Sequence, residues 1–124
     1  PVFGPRTRVS FDLAKNADRS VLKKLVPVRE QRFEALRKFL KPGDLLCIPT
    51  APSPAPLKDS LGNNRLSCPY YPAAGSLTSI AGIGRLPQVS LPVAEIDGLP
   101  IGLSLIAGHG QDAFLLGVAQ AYAP

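Results

Sequence analysis

At 124 residues the chain has room for one modest domain, and its 45% hydrophobic and 19% charged content excludes a disordered polymer. No apolar run approaches the roughly 18 residues of a membrane span. Two cysteines are too few for a disulfide framework. The net charge of +5 is uneven: residues 1–44 hold eleven of the fourteen Lys/Arg, against five Asp/Glu. Such an arm could bind a polyanion. The interleaving of Glu30 and Glu34 with Arg29, Arg32, Arg37 and Lys38 favours a solvated helix face, with Glu34 and Lys38 paired one turn apart.

In chain order, Gly4-Pro5 opens a helix over about 6–15. A longer helical pattern over about 19–40 carries one apolar stripe of Val21, Leu25 and Val28 and another of Phe33, Leu36 and Leu40. Pro27 falls between them and should kink or split the helix, because it removes a backbone donor and crowds the preceding turn. Pro42-Gly43 ends it. Leu45-Leu46-Cys47-Ile48 is a continuous apolar run that suits a strand buried on both faces, with Cys47 as a small core residue. Pro49, Pro52, Pro54 and Pro56 then force an extended path, and residues 59–65 read as a polar surface loop.

Pro72 stands in the first turn of a small-residue helix over about 72–83. Val89, Leu91 and Val93 alternate with polar positions, Asp97-Gly98 signals a hairpin, and Ile101, Leu103 and Leu105 alternate after it. Pro92 and Pro100 require an unpaired or irregular place in those strands. Asp112 can cap a last helix that is apolar nearly all round and must be buried against something. The domain plan is a helical arm (1–44) followed by strand, Pro-rich loop, helix, hairpin and helix (45–124). That is an α/β layer arrangement. The absence of Met, proline at both ends and a final helix without a stop signal predict a piece of a longer protein.

Chemistry-bearing residues are sparse. One His and two separated Cys cannot make a zinc site, and no acidic cluster suggests calcium or magnesium. Gly82 and Gly84 do not make a phosphate loop. His109, in the turn Gly108-His109-Gly110, reads as idle, and Ser76 lacks the surroundings of a nucleophile elbow. No catalytic constellation stands in the chain, and no cofactor is expected.

Four segments in order carry a resemblance. Residues 44–52, Asp-Leu-Leu-Cys-Ile-Pro-Thr-Ala-Pro, are followed by Ala55-Pro56. Residues 77–92 run from Leu77-Thr78-Ser79-Ile80-Ala81-Gly82 to Gln88-Val89-Ser90-Leu91-Pro92. Residues 97–106 form the hairpin Asp-Gly-Leu-Pro-Ile-Gly-Leu-Ser-Leu-Ile, and Gly110-Gln111-Asp112 leads into the final helix. Together they resemble the C-terminal portion of the amidase-signature family of serine amidases, from about Gly4 to the end. The wording is most similar to plant-type amidases acting on indoleacetamide.

The resemblance implies part of an α/β/α sandwich with a mixed sheet flanked by helices. It also implies hydrolysis of a carboxylic amide by a serine assisted by a second serine and a lysine, with backbone amides holding the oxyanion. Those residues lie N-terminal to this segment in the family, so the segment alone should be inactive. Its partners would be a small-molecule amide substrate and the remainder of the amidase domain, with room for a homodimer and no nucleic acid or membrane. A cytoplasmic location is the default.

By the same resemblance Gly75, Thr78, Ser79 and Gly82 belong to the acyl pocket. Relatives that bind a charged amino acid place a carboxylate near Gly75, so its absence implies a neutral acyl group. Relatives often carry Asn where Gly82 stands. On residues alone, the shared helix face of Gly75, Ser79 and Gly82 fits close packing against a sheet equally well, and Thr78 could bond back one turn. The alternatives are the amidase subunit of a tRNA-dependent amidotransferase and a non-catalytic basic binding module.

Overall fold

The computed structural model describes residues 3–61 and 68–122. Its elements are α1 (Pro5–Lys15), α2 (Arg19–Phe39), β1 (Leu45–Pro49), α3 (Tyr70–Gly84), β2 (Gln88–Ile96), β3 (Leu99–Ala107) and α4 (Asp112–Tyr122). Contacts divide the chain into two compact units, Pro1–Gln31 and Arg32–Pro124. The end of the expected loop at 59–65 lies outside the described residues; Asp59, at its start, has the positive φ of a turn residue.

The first unit is helical and lightly packed. Asp18 caps α2: its Oδ1 accepts from the Ser20 backbone N–H at 2.8 Å and its Oδ2 from the Ser20 hydroxyl at 2.7 Å. These bonds, the side-chain one first, hold the Asp18 carboxyl below its ordinary value. The cap satisfies one of the amide donors that every helix start leaves open. The expected apolar stripe of Val21, Leu25 and Val28 remains about half exposed. Pro27 does not split α2, which is one helix with the proline inside. A single intrahelical bond is forfeited at an exposed site, where water can take the freed carbonyl.

The second unit is a three-layer sandwich. Its sheet has the order β1-β3-β2, and both pairings are antiparallel. A parallel pair, as a mixed sheet would need, is not among the described strands. Strand alternation sends Leu45, Leu103, Leu105, Ala107, Val89 and Leu91 to one face, where Leu115, Val118 and Ala119 of α4 cover them. Leu46, Ile48 and Ile106 point the other way, against Leu36, Leu40, Ile80, Ala81 and Leu86. The second apolar stripe of α2 thus meets a core, whereas the first does not. Each fully buried aliphatic chain contributes about 1.5–3 kcal/mol of transfer free energy.

The prolines sit where a missing donor costs least. The β2–β3 register shifts between Leu91 and Ala94, which brackets Pro92. Pro100 pairs with Glu95 of β2 but lies beyond β1, whose pairing with β3 ends at Pro49–Leu103. The hairpin turns on Asp97 and Gly98, both at positive φ (51° and 77°), the geometry that favours this dipeptide.

Several expectations need correction. Cys47 is exposed and not a core residue. It stands on an edge strand, beside an open cavity that it shares with Val118 and Tyr122 of α4. The strand expected to be buried on both faces is only half-buried for the same reason. Glu34 pairs with Arg37 at 3.5 Å instead of Lys38. The last helix buries one side through Leu115 and Ala119, while Leu116 and Tyr122 are 62% and 70% exposed.

Candidate functional site

The residues singled out in the sequence all lie on α3, whose apolar side packs on the sheet through Ile80 and Ala81. Gly75, Thr78 and Gly82 fall on its exposed side, and Ser79 is half-buried. A Cβ placed on Gly75 or Gly82 would meet nothing within 4 Å. Close helix–sheet packing therefore does not explain these two glycines within the described residues. Close packing is instead required at Gly84, where a Cβ would lie 2.7 Å from the side chain of Leu86, in the loop before β2, and 3.0 Å from that of Leu36 on α2.

The hydroxyls on α3 are turned onto their own helix. Thr78 Oγ1 donates to the Ala74 carbonyl at 3.0 Å and Ser76 Oγ to the Pro72 carbonyl at 2.9 Å. Ser79 Oγ donates to the Ser76 carbonyl at 3.4 Å, a long bond that a ligand could replace. Ser79, with Ile80 and Ile83, also borders an apolar cavity of about 570 Å³ whose other wall is Arg32, Ala35, Leu36 and Phe39 of α2. The four residues thus form a small, unobstructed surface with one hydroxyl leading into an apolar recess. The surface can accept the uncharged part of a ligand, and it offers no general base.

The structure adds a polar group that sequence reasoning missed. Ser104 is fully buried (0% exposed) in the central strand, facing the α2/α3 side. Its Oγ lies 2.8 Å from Thr50 Oγ1 and 3.1 Å from Ser90 Oγ, and it accepts from Gln88 Nε2 at 2.9 Å. Three partners exhaust the capacity of one hydroxyl, so the buried oxygen is satisfied. Gly102 makes room: a Cβ there would stand 2.7 Å from Thr50 Oγ1. Thr50 also donates its backbone N–H to the Gly102 carbonyl at 2.8 Å, which ties the start of the Pro-rich segment to the centre of the sheet. The alternation Leu103-Ser104-Leu105 makes Ser104 look like an ordinary solvent-facing residue. Only the covering helix layer turns that position inward.

No metal centre or catalytic pair emerges. Among the described residues no group of three or more His, Cys, Asp or Glu could hold a metal ion. His109 meets the edge of the Phe33 ring, centroids 6.4 Å apart, and no serine shares its surroundings through a described hydrogen bond.

Comparison with known proteins agrees over almost the whole chain. A family model described as Amidase matches residues 2–116. Amidase 1 of Oryza sativa subsp. japonica is 37% identical over 123 residues, which cover 97% of this chain and 27% of the rice protein. The translocon at the outer membrane of chloroplasts 64 of Pisum sativum is 42% identical over 89 residues, 72% of this chain and 15% of that protein. Among solved structures, a glutamyl-tRNA(Gln) amidotransferase subunit from Thermotoga maritima superposes with a TM-score of 0.73 at 22% identity, over 96% of this chain and 27% of that one. The chain thus spans well under a third of the length of these relatives.

Proposed function

Because the chain belongs to the amidase family, we propose that it is the C-terminal portion of an enzyme that hydrolyses a carboxylic amide to acid and ammonia. The observation that carries this reading is the match over residues 2–116. It includes all four segments on which the resemblance rests. The nucleophilic serine, its serine partner and the lysine lie outside this chain. The serine oxygen attacks the amide carbon, the oxyanion is held by backbone N–H groups, and the relayed proton leaves with the amine as ammonia. Water then releases the acid from the acyl-enzyme.

Within this scheme the chain supplies one wall of the acyl pocket, formed by Gly75, Thr78, Ser79 and Gly82. The open space beside Gly75 and Gly82 supports that role. A glycine at 75, where a carboxylate would recognise a charged amino acid, supports a neutral acyl group. The partners are then a small-molecule amide and the remainder of the amidase domain. A homodimer is compatible with the exposed side of α4, and size-exclusion chromatography with light scattering measures it. No helix among the described residues is long and apolar enough to cross a membrane. The proposed location is the cytoplasm; the pea relative is named for the chloroplast outer membrane, and cell fractionation distinguishes the two.

The test is ammonia release from a panel of aryl- and alkylamides by this chain and by the longer protein that carries it. Activity in the longer protein and none in the 124 residues is the expected result. Turnover by the 124 residues alone would place the nucleophile here and defeat the assignment. A role within a tRNA-dependent amidotransferase is the second reading, favoured by the superposition on the Thermotoga maritima protein. Copurification of a second subunit with tRNA would select it.

A further inference from the structure

Beside Phe33 the second unit gathers positive charge that the amidase reading does not use. Phe33 is 8% exposed, and two guanidiniums flank its ring: the Arg85 Cζ lies 4.5 Å and the Arg37 Cζ 5.7 Å from the centroid. The His109 ring stands at 76° to the same ring. Arg37 and His109 also border a cavity of about 170 Å³, closed by Leu40, Pro42, Gly108 and Gln111. Among the described residues no carboxylate lines it. Glu34, which pairs with Arg37 at 3.5 Å, is the neighbouring acid, and both side chains are 54% exposed, so the pair is weak and easily exchanged.

The cavity is built and not incidental. Gly108 lets the β3–α4 turn approach the end of α2, since a Cβ there would be 3.2 Å from the Leu40 carbonyl oxygen. The Gln111 Oε1 accepts from the Gly43 backbone N–H at 3.0 Å, which fixes the carboxamide. Its Nε2 then has no acceptor among the described residues, and neither does an imidazole N–H of His109. One guanidinium, one amide N–H₂ and one imidazole border a small space with no acidic lining among the described residues. Such a donor set suits the several acceptor oxygens of a small anion.

We propose that this cavity between the end of α2 and the β3–α4 turn binds a small oxyanion, a carboxylate or a phosphate, through Arg37, His109 and Gln111. The His109 imidazole proton resonances, assigned by their loss in His109→Asn, report on the site directly. Inorganic phosphate and acetate are titrated in separate arms, against sodium chloride at matched ionic strength. A saturable shift with either anion and not with chloride is expected, and the stronger arm identifies the oxyanion class. Gln111→Glu retains an acceptor for Gly43 while placing a negative charge in the cavity. It should weaken binding roughly tenfold or more, as should Arg37→Gln, whereas Lys24→Gln, outside the site, should leave it unchanged. A linear drift shared with chloride, an equal loss in Lys24→Gln, or undiminished binding in Gln111→Glu would each overturn the assignment.

Discussion

The two faces of the sheet are built on different principles. Toward α4 every contributing side chain is apolar, from Leu45, Leu91, Leu105 and Ala107 to Leu115 and Ala119. Toward α2 and α3, Ile106 and Leu46 share the surface with a hydroxyl network centred on Ser104. The first face is held by area and volume, which many apolar combinations can supply. The second depends on individual atoms at hydrogen-bonding distance, where a single oxygen has no substitute. The polar face is also the one that α3, with the proposed pocket residues, packs upon.

Substitutions can break or sharpen this contrast. The largest effect is expected from Leu105→Ala on the apolar face: with Leu105 5% exposed, urea unfolding should show a loss of about 2–5 kcal/mol, and Leu105→Met a far smaller one. Next comes Gly102→Ala, which drives a methyl group into the Thr50 hydroxyl and should cost about 1–3 kcal/mol. Ser104→Ala leaves Thr50, Gln88 and Ser90 without their shared partner. Ser90 is exposed and can turn to water, so the loss should stay near 1–2 kcal/mol. If Ser104→Ala proved neutral while Ser104→Val stabilised, the polar face would be area-driven after all.

Smaller still is Gly75→Ala, which adds helix propensity in open space. Stability should hold or rise by up to about 1 kcal/mol. On the proposed amidase function, the same change in the longer protein should raise KM for bulky acyl amides more than for acetamide. A destabilised protein with unchanged selectivity would instead point to a packing role. The smallest effect belongs to the Asp18 cap, in the first unit. Its folded pKa lies below the ordinary 3.8, so its contribution is present above that value and is lost as pH falls through the folded pKa. Amide exchange at Ser20–Leu22 should accelerate in acid and in Asp18→Ala, while the sheet amides stay protected.

Much of the layer order is legible in the sequence because it depends on local signals. Asp97-Gly98, the alternation around Leu91 and Leu103, and the prolines at 42 and 72 each constrain the backbone within a few residues. Cys47 and Ser104 mislead for one shared reason. Whether a strand position is inside or outside is decided by the neighbouring layer, which local periodicity does not contain. Cys47 is exposed on an edge strand and Ser104 is fully buried on the central one. The proposed pocket residues are legible only through resemblance, since Gly75 and Gly82 carry no side chain whose chemistry could announce a site. The cavity at His109 has no sequence signature because it joins residues from the end of α2 and the turn before α4.

The outer rim of β1 has a practical consequence for handling the chain. Leu45 to Ile48 have no partner strand on that side among the described residues, and no lysine or other charge stands within the strand to discourage a neighbour. Preparations of these residues by themselves should be kept dilute and under reducing agent, because stacking of one molecule's rim on the next, followed by oxidation at Cys47, is the route by which they would turn cloudy.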